Sequence, residues 1–393
     1  MEMSKYGRLK VVGFFVIMIA AVILFSSFFA GLWGGKEGES KEPVKINMTA
    51  DMTVEEFGKV NNLSNELLKE VFSLTDKKDL KKTIDQTGIS TEQVLAKVKK
   101  EKALHEEFKS KNWFLIPLKF ALWIVFLVMV FVLIRKRAIT ARVRKILYFA
   151  AFVLFGVILG SDPSPMGTVK DAIVLLGTSG VIFPPRMIAL AVFLLTVFLA
   201  NRFICSWGCQ LGTFQDAIFR INRREKDRRG IFPQIKLPFA VTNTIRIITF
   251  AALAFIAFVW GLDMIGAVDP FKMFKPSVVA VYGWVFIGAL LIASLFIYRP
   301  WCHLFCPFGL VAWIVEKMSV FKIQVNYDTC IACEKCVQAC PSTVMEGILK
   351  RDRIVPDCFS CATCIEVCPT KSISFKAGKR RMPPPDKYEK NKE

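Results

Sequence analysis

Cys330-Ile-Ala-Cys333-Glu-Lys-Cys336-Val-Gln-Ala-Cys340-Pro341 is followed, after a short spacer, by Cys358-Phe-Ser-Cys361-Ala-Thr-Cys364-Ile-Glu-Val-Cys368-Pro369. Both stretches read C-x2-C-x2-C-x3-C-P, and two such runs in tandem hold a pair of 4Fe–4S clusters. The spacing has a physical reason. Three cysteines two residues apart wrap a tight loop whose thiolates converge on one iron cube, and the fourth falls beyond that loop's reach and ligates the other cube. Cluster I is therefore expected on Cys330, Cys333, Cys336 and Cys368, and cluster II on Cys358, Cys361, Cys364 and Cys340. The proline after each fourth cysteine turns the chain away and removes a backbone donor. Zinc also binds C-x2-C pairs, but it needs four ligands and leaves the third cysteine and the x3-Cys-Pro ending unexplained. Residues 321–376 are thus expected to form an α+β, bacterial-type ferredoxin domain with two 4Fe–4S clusters, followed by a basic tail over 377–393.

Working outward, the chain is 53% hydrophobic, and its apolar residues gather in long uncharged runs that mark membrane spans. The fold class expected is a mainly α integral membrane protein of about six transmembrane helices, with a two-fold internal repeat and a small helical extracytoplasmic domain. The spans are placed at Val11–Gly35, Trp113–Ile134, Ile146–Gly160, Met187–Asn201, Ile247–Leu262 and Pro276–Tyr298. Residues 1–35 read as an uncleaved signal anchor, since the apolar run exceeds that of a signal peptide and lacks a clean cleavage site. Residues 36–112 are polar. Thr53-Val-Glu-Glu-Phe57 has the pattern of a capped helix start, and Leu67, Leu68, Val71, Phe72, Val94, Leu95 and Val98 recur at helical intervals.

Residues 113–145 hold the second span and the loop Arg135–Lys145, which carries six basic residues in eleven. So basic a short loop is expected in the cytoplasm. That orientation gives a multi-pass protein of the cytoplasmic membrane, with the ferredoxin domain cytoplasmic and residues 36–112 outside. Lys119, near one end of the second span, is expected to snorkel to the interface. The stretch from Asp162-Pro163 to Pro185 contains Gly177, Gly180 and Pro184-Pro185 and reads as a re-entrant or interfacial piece. The formal charge of +20 is concentrated in a few short segments, as suits anionic lipid headgroups. No nucleic-acid motif accompanies it, so nucleic acid is not an expected partner.

Residues 146–320 are expected to form a four-helix membrane core built from two copies of one unit. One copy ends Arg202-x2-Cys205-x3-Cys209-x2-Gly212 and the other Arg299-x2-Cys302-x3-Cys306-x2-Gly309. Each copy is preceded by an Asp-Pro turn, Asp162-Pro163 or Asp269-Pro270, and followed by an apolar helix, Thr213–Arg220 or Leu310–Val320. Both copies run in the same direction across the membrane and imply an axis along its normal. Cys205, Cys209, Cys302 and Cys306 have two readings: a third metal centre of iron–sulfur type at the cytoplasmic mouth, or quiet buried thiols. His303 either ligates metal or accepts a quinol proton, or is a hydrogen-bonded side chain near the interface. Arg202 and Arg299 are either positive-inside anchors or groups that steady anionic clusters. All 12 cysteines fall in these motifs, so none remains for a structural disulfide. No catalytic residue is read.

Paired C-x3-C motifs after membrane spans, followed by a double ferredoxin motif, resemble the NapH/MauN-type membrane polyferredoxins, to which the NosR- and CcoG-type proteins are related. The resemblance covers roughly Ile146 to Thr370. Cys302-His-Leu-Phe-Cys306-Pro307 matches the family's C-x3-C-P, whereas Cys205-Ser-Trp-Gly-Cys209-Gln210 has glutamine in place of proline. The first two spans and the outer domain also depart from the simple layout. The resemblance implies an electron-transfer component of quinol-dehydrogenase type, working between the quinone pool and a partner redox protein through two 4Fe–4S clusters and, in the first reading above, a third. A CcoG- or NosR-like role in metal reduction, oxidase assembly or redox-linked regulation is the alternative.

Overall fold

The computed structural model describes residues 2–33, 52–61, 68, 71–72, 83–84, 91–223, 232–350, 355–385 and 388. The chain opens with α1 (Glu2–Trp33), which buries Val11, Phe15, Met18 and Val22. Their spacing of three and four puts them on one helix face. α2 (Val54–Val60) begins with the expected capping box. The Thr53 hydroxyl accepts from the Glu56 N–H at 3.2 Å, and the Glu56 carboxylate accepts from the Thr53 N–H at 3.1 Å. α2 and α3 (Thr91–Lys109) share a small apolar core of Val54, Phe57, Leu68, Val71, Phe72, Ile84, Val94 and Val98. Leu67 and the Leu95 side chain lie outside the described residues.

α4 (Leu115–Arg135) follows, then α5 (Ala141–Phe152), which continues through a π-helical turn, Val153–Ile158. Next come α6 (Pro165–Ser179), α7 (Pro184–Ala200), the short α8 (Phe203–Trp207), α9 (Gln210–Ile221) and α10 (Phe239–Trp260). Two 3-10 turns, Pro270–Phe274 and Pro276–Val278, lead to α11 (Val281–Phe296), α12 (Pro300–Leu304) and α13 (Pro307–Glu316). The C-terminal lobe comprises β1 (Phe321–Val325), α14 (Lys335–Ala339), α15 (Val344–Leu349), α16 (Thr363–Val367) and β2 (Ile373–Ala377). β1 and β2 pair antiparallel, with Phe321 opposite Ala377 and Val325 opposite Ile373.

Among the described residues, three helices are long and apolar enough to cross a membrane: Gly7–Gly31 within α1, α4 and α10. α7, α11 and α13 are apolar but shorter. Two expected spans begin earlier than read, and for the same reason. α5 starts at Ala141, capped by the Thr140 hydroxyl, because Arg144 is paired inside the protein with Glu366 at 3.0 Å. α10 starts at Phe239 because Arg246 is paired with Asp357 at 2.8 Å. A charge that finds a buried partner need not end an apolar helix. Lys119 also departs from expectation. It does not snorkel but lies fully buried, donating to the carbonyls of Gly160 at 2.7 Å and Asp162 at 3.3 Å.

The stretch after Asp162-Pro163 forms α6, capped by Ser164 with Pro165 at its first position and closed by Gly180 in the left-handed region. α6 packs against α7, α10 and α13. Its Lys170 ammonium lies 3.0 Å from Asp171, 3.1 Å from Asp263 and 3.4 Å from Asp269. Asp269 also makes the expected turn, accepting from the Phe271 N–H at 2.9 Å. Arg186, at the start of α7, pairs with Glu107 of α3 at 3.0 Å. Leu175, Val181 and Phe183 pack there against Ala103 and Leu104. The far end of α7 leads through Asn201 to Cys205, where Asn201 meets Ser319 and Ser360. α3 and the C-terminal lobe therefore sit at opposite ends of α7. Lys170→Met leaves three carboxylates facing one another, two of them about one-third open to water. It is expected to cost about 3 kcal/mol, read as a lower melting temperature in detergent, while Lys170→Arg stays close to the parent.

Candidate metal centres

The β1–β2 ribbon brings the two ends of the C-terminal lobe together over two hollows. One, about 370 Å³ with its open mouth included, is lined by Cys330, Cys333, Cys336 and Cys368. The other, about 380 Å³, is lined by Cys340, Cys358, Cys361 and Cys364. Each hollow takes three cysteines from one run and the fourth from the other. The backbone explains how three near neighbours turn inward together. Ala332 and Glu334 in the first loop, and Ser360 and Ala362 at the matching places in the second, have φ between 51° and 62°. Such left-handed residues are strained unless the surroundings hold them. Burial alone would raise the Cys368 thiol, yet the Thr370 hydroxyl and the amides of Ser372, Ile373 and Thr370 bring it below its ordinary value. Amides directed at sulfur are among the groups that tune an iron–sulfur site. Cys333 is exposed at the mouth of the first hollow, and the Tyr388 hydroxyl lies 3.2 Å from the Cys330 sulfur.

The structure also brings together the four remaining cysteines. Cys205, Cys209, Cys302 and Cys306 are all buried, and their charges act on one another. Burial pushes the Cys205 thiol up to about 12 and raises the other three as well. As free thiols they are protonated and inert, and a bound metal would be what deprotonates them. Cys209 and Cys306 occupy the N-cap positions of α9 and α13, where the helix dipole favours negative charge. The Gly212 and Gly309 amides favour their thiolates in the same way. Among the described residues, no three His, Cys, Asp or Glu side chains surround a point where a single ion would sit. Four thiolates on separate corners of an iron cube stand farther apart than four ligands of one ion.

The surrounding charge suits an anionic guest. Asp216 accepts from Arg220 Nε at 2.6 Å, Arg299 Nη2 at 2.6 Å and the Tyr298 hydroxyl at 2.9 Å. Asp357 lies 2.6 Å from Arg202 and 2.8 Å from Arg246. Burial acts to raise both carboxyls, but the guanidiniums prevail and hold each at about 2. Four buried guanidiniums against two buried carboxylates leave an excess of two positive charges. Buried charge is costly unless paired, and a thiolate-bound 4Fe–4S cluster is one group that would supply the missing negative charge. Glu316 does not cancel the excess, because burial raises its carboxyl to about 8 while its Oε1 accepts from the Cys358 N–H at 2.9 Å.

Arg202 and Arg299 are fully buried and therefore do not anchor to headgroups. Each reaches across to the other copy. Arg202 donates to the Gly309 carbonyl, and Arg299 donates to those of Cys205 at 2.6 Å and Ser206 at 3.2 Å. Phe359, beside Cys358, lies between them, with its ring 4.8 Å from the Arg202 guanidinium and 4.9 Å from that of Arg299. His303 sits 3.6 Å from Asp357, and burial lowers it to about 3, so the ring is neutral. Its Nε2 has no hydrogen-bond partner among the described residues.

Asp216, Asp357 and Phe359 were not singled out by the sequence. Asp216 stands four residues before Arg220 on one helix, a spacing that signals a pair. Nothing in the local sequence marks Asp357 as the partner of arginines more than a hundred residues away.

Two family models match the chain. A 4Fe-4S dicluster domain matches residues 322–369, and a 4Fe-4S binding domain matches twice, at 182–228 and 279–326. Each of the latter stretches contains one C-x3-C pair. Among curated relatives, YccM of Escherichia coli, named as a candidate electron transport protein, is 31% identical over 171 residues, 40% of this chain and 46% of its own. An uncharacterised protein of Methanocaldococcus jannaschii is 23% identical over 207 residues, 51% of this chain and 74% of its own. The regulatory protein NosR of Pseudomonas aeruginosa is 25% identical over 145 residues, 35% of this chain and 19% of its own. The matched part of the chain thus spans under half the length of YccM and about a fifth of NosR. No solved structure matches. The chain is an iron–sulfur protein related to YccM and NosR, with helices long and apolar enough for membrane association.

The close approach at the two glycines gives a test. A Cβ on Gly212 would lie 2.5 Å from the Cys205 carbonyl oxygen, and one on Gly309 would lie 2.9 Å from that of Cys302. Gly212→Ala and Gly309→Ala are expected to destabilise by about 1–3 kcal/mol. Gly288→Ala, with nothing within 4 Å, is expected to be neutral or to stabilise by a few tenths. Melting temperatures in detergent read the contrast.

Proposed function

We propose that this chain is a membrane-embedded electron-transfer protein that works between the quinone pool and a partner redox protein, with 4Fe–4S clusters in the two hollows and a third on Cys205, Cys209, Cys302 and Cys306. The observation that carries the proposal is the adjacency of the sites: Tyr298 and Phe359 line the second hollow and also touch the arginines that bracket the four buried cysteines. Clusters held in this way supply one-electron steps, which a quinone accepts or gives in pairs.

The chain's own residues set the order. Exposed Cys333 opens the first hollow to a docking partner. Cys368 and Cys340, exchanged between the runs, keep the two hollows next to each other. Arg202, Arg299, Arg220 and Arg246 compensate the anionic centre, and Trp207 fixes the second loop by donating to the Ser360 carbonyl at 3.2 Å. The orientation proposed is six passes with the C-terminal lobe in the cytoplasm and residues 36–112 outside. In support, the basic Arg135–Lys145 loop packs on the lobe, with Arg137 donating to the Lys371 carbonyl at 2.6 Å and Arg144 to that of Cys361 at 2.8 Å. The names of YccM and NosR bear on two versions of this role, electron transport and redox-linked regulation. A transcriptional effect that outlives loss of the cysteines would favour the second.

Iron and inorganic sulfide counted on anaerobically purified protein test the proposal. About twelve irons per chain are expected, falling to about eight in Cys205→Ala/Cys302→Ala. Adding quinol or quinone should change the visible absorbance or the paramagnetic signal of the parent. About eight irons in the parent would remove the third centre, and zinc without sulfide would remove all three.

A further inference from the structure

α4 lies outside the repeated unit, yet it delivers a cation to the four-cysteine mouth. Lys119 is fully buried, and among the described residues no carboxylate lies within ion-pair distance of its Nζ. Its amine donates to the carbonyls of Gly160 and Asp162. The carbonyl between them, that of Ser161, accepts from Gln210 Nε2 at 2.6 Å. Gln210 follows Cys209 directly and stands where the second copy has Pro307, which has no side-chain amide to make this link. Its Oε1 is buried with no hydrogen-bond partner among the described residues.

One turn along α4, the Trp123 indole donates to the Gly208 carbonyl at 2.9 Å, and its ring lies 4.9 Å from the Lys119 ammonium. Lys119 and Trp123 thus bracket Gly208–Gln210 from one helix face, and Lys119 is close enough to Cys209 for their charges to act on each other. Burying an ammonium costs several kcal/mol, and clamping two carbonyls requires only a neutral donor. Burial by itself favours the neutral amine, so an anionic centre nearby is what would keep the proton on Lys119.

We propose that Lys119, kept protonated by an anionic centre, is a positive charge that sets the potential of a cluster held by Cys205, Cys209, Cys302 and Cys306, favouring its reduced, more negative form. It is a positioning residue, acting through space on the centre and not on a substrate. The inference rests on the reading that these four cysteines hold a cluster. Arg202 and Arg299 pair directly with carboxylates, whereas Lys119 donates to carbonyls. The Asp162 carboxylate that also acts on it is shared with Lys111 at 3.6 Å and Lys275 at 4.0 Å, so the field of Lys119 on the centre is less cancelled.

The test is a redox titration followed by electron paramagnetic resonance on full-length protein in detergent, with iron counted on the same samples. Lys119→Gln keeps a donor for the carbonyls and loses the charge, Lys119→Met loses both, and Lys119→Arg keeps the charge. In the two neutral variants the ratio of reduced to oxidised third centre at a fixed potential should fall about tenfold, equivalent to about 59 mV for one electron. Lys119→Arg should stay within about threefold of the parent, about half of that shift in potential. The two centres of the C-terminal lobe should not move in any variant. A full iron count with an unshifted third centre in the neutral variants overturns the role of Lys119. So does loss of all clusters in both, which would make the charge a folding requirement. About eight irons in the parent instead overturns the third centre itself.

Discussion

Two carboxylates, Asp216 and Asp357, each hold two guanidiniums where no water reaches them. A buried ion whose partner is removed costs several kcal/mol, so neither group can move without the other. The pairs are also long-range. Asp216 joins α9 to Arg299 at the start of α12, and Asp357 joins the second cysteine loop to Arg202 ahead of α8 and Arg246 of α10. Because of this, the C-terminal lobe is fused to the helical body and does not swing on a linker. Aromatic contacts complete the joint, with Phe203 stacked on Phe375 and Phe131 edge-on to Phe321.

The two C-x3-C motifs share a backbone plan and differ in their side chains. Both have an arginine three residues ahead, a helix N-cap at the second cysteine and a glycine that lets the first cysteine's carbonyl come close. Yet Ser206, 3.3 Å from the Tyr148 hydroxyl, corresponds to His303 beside Asp357, and Gln210 corresponds to Pro307. Both copies reach the C-terminal lobe, the first through Arg202 and Trp207 and the second through His303, but only the first meets the Gly160–Asp162 loop, through Gln210. A shared frame with unlike faces gives the buried cysteines two distinct surroundings.

Much of this was legible in the residues alone. The cysteine runs gave the pairing of thiols around the hollows, because loop length decides which sulfur can reach which cavity. Thr53 and Glu56 announced their cap because that interaction spans three residues. What stayed hidden was non-local. Arg144 and Arg246 read as the ends of apolar runs, since their partners Glu366 and Asp357 lie far along the chain. Lys119 read as an interfacial lysine for the same reason. A charge in an apolar run is ambiguous until its counterpart in space is known, and Asp357 offered no local pattern to betray it.

The exchange of Cys340 and Cys368 between the hollows has a consequence for how the lobe comes into being. A nascent chain that has reached only the first run offers three sulfurs to one cavity and a stray one to a cavity that does not yet exist. The second chamber has its four sulfurs once the chain reaches Cys364, and the first only with Cys368, after which β2 can close on β1. The chamber whose three-cysteine loop is made first is therefore the last to receive its fourth sulfur.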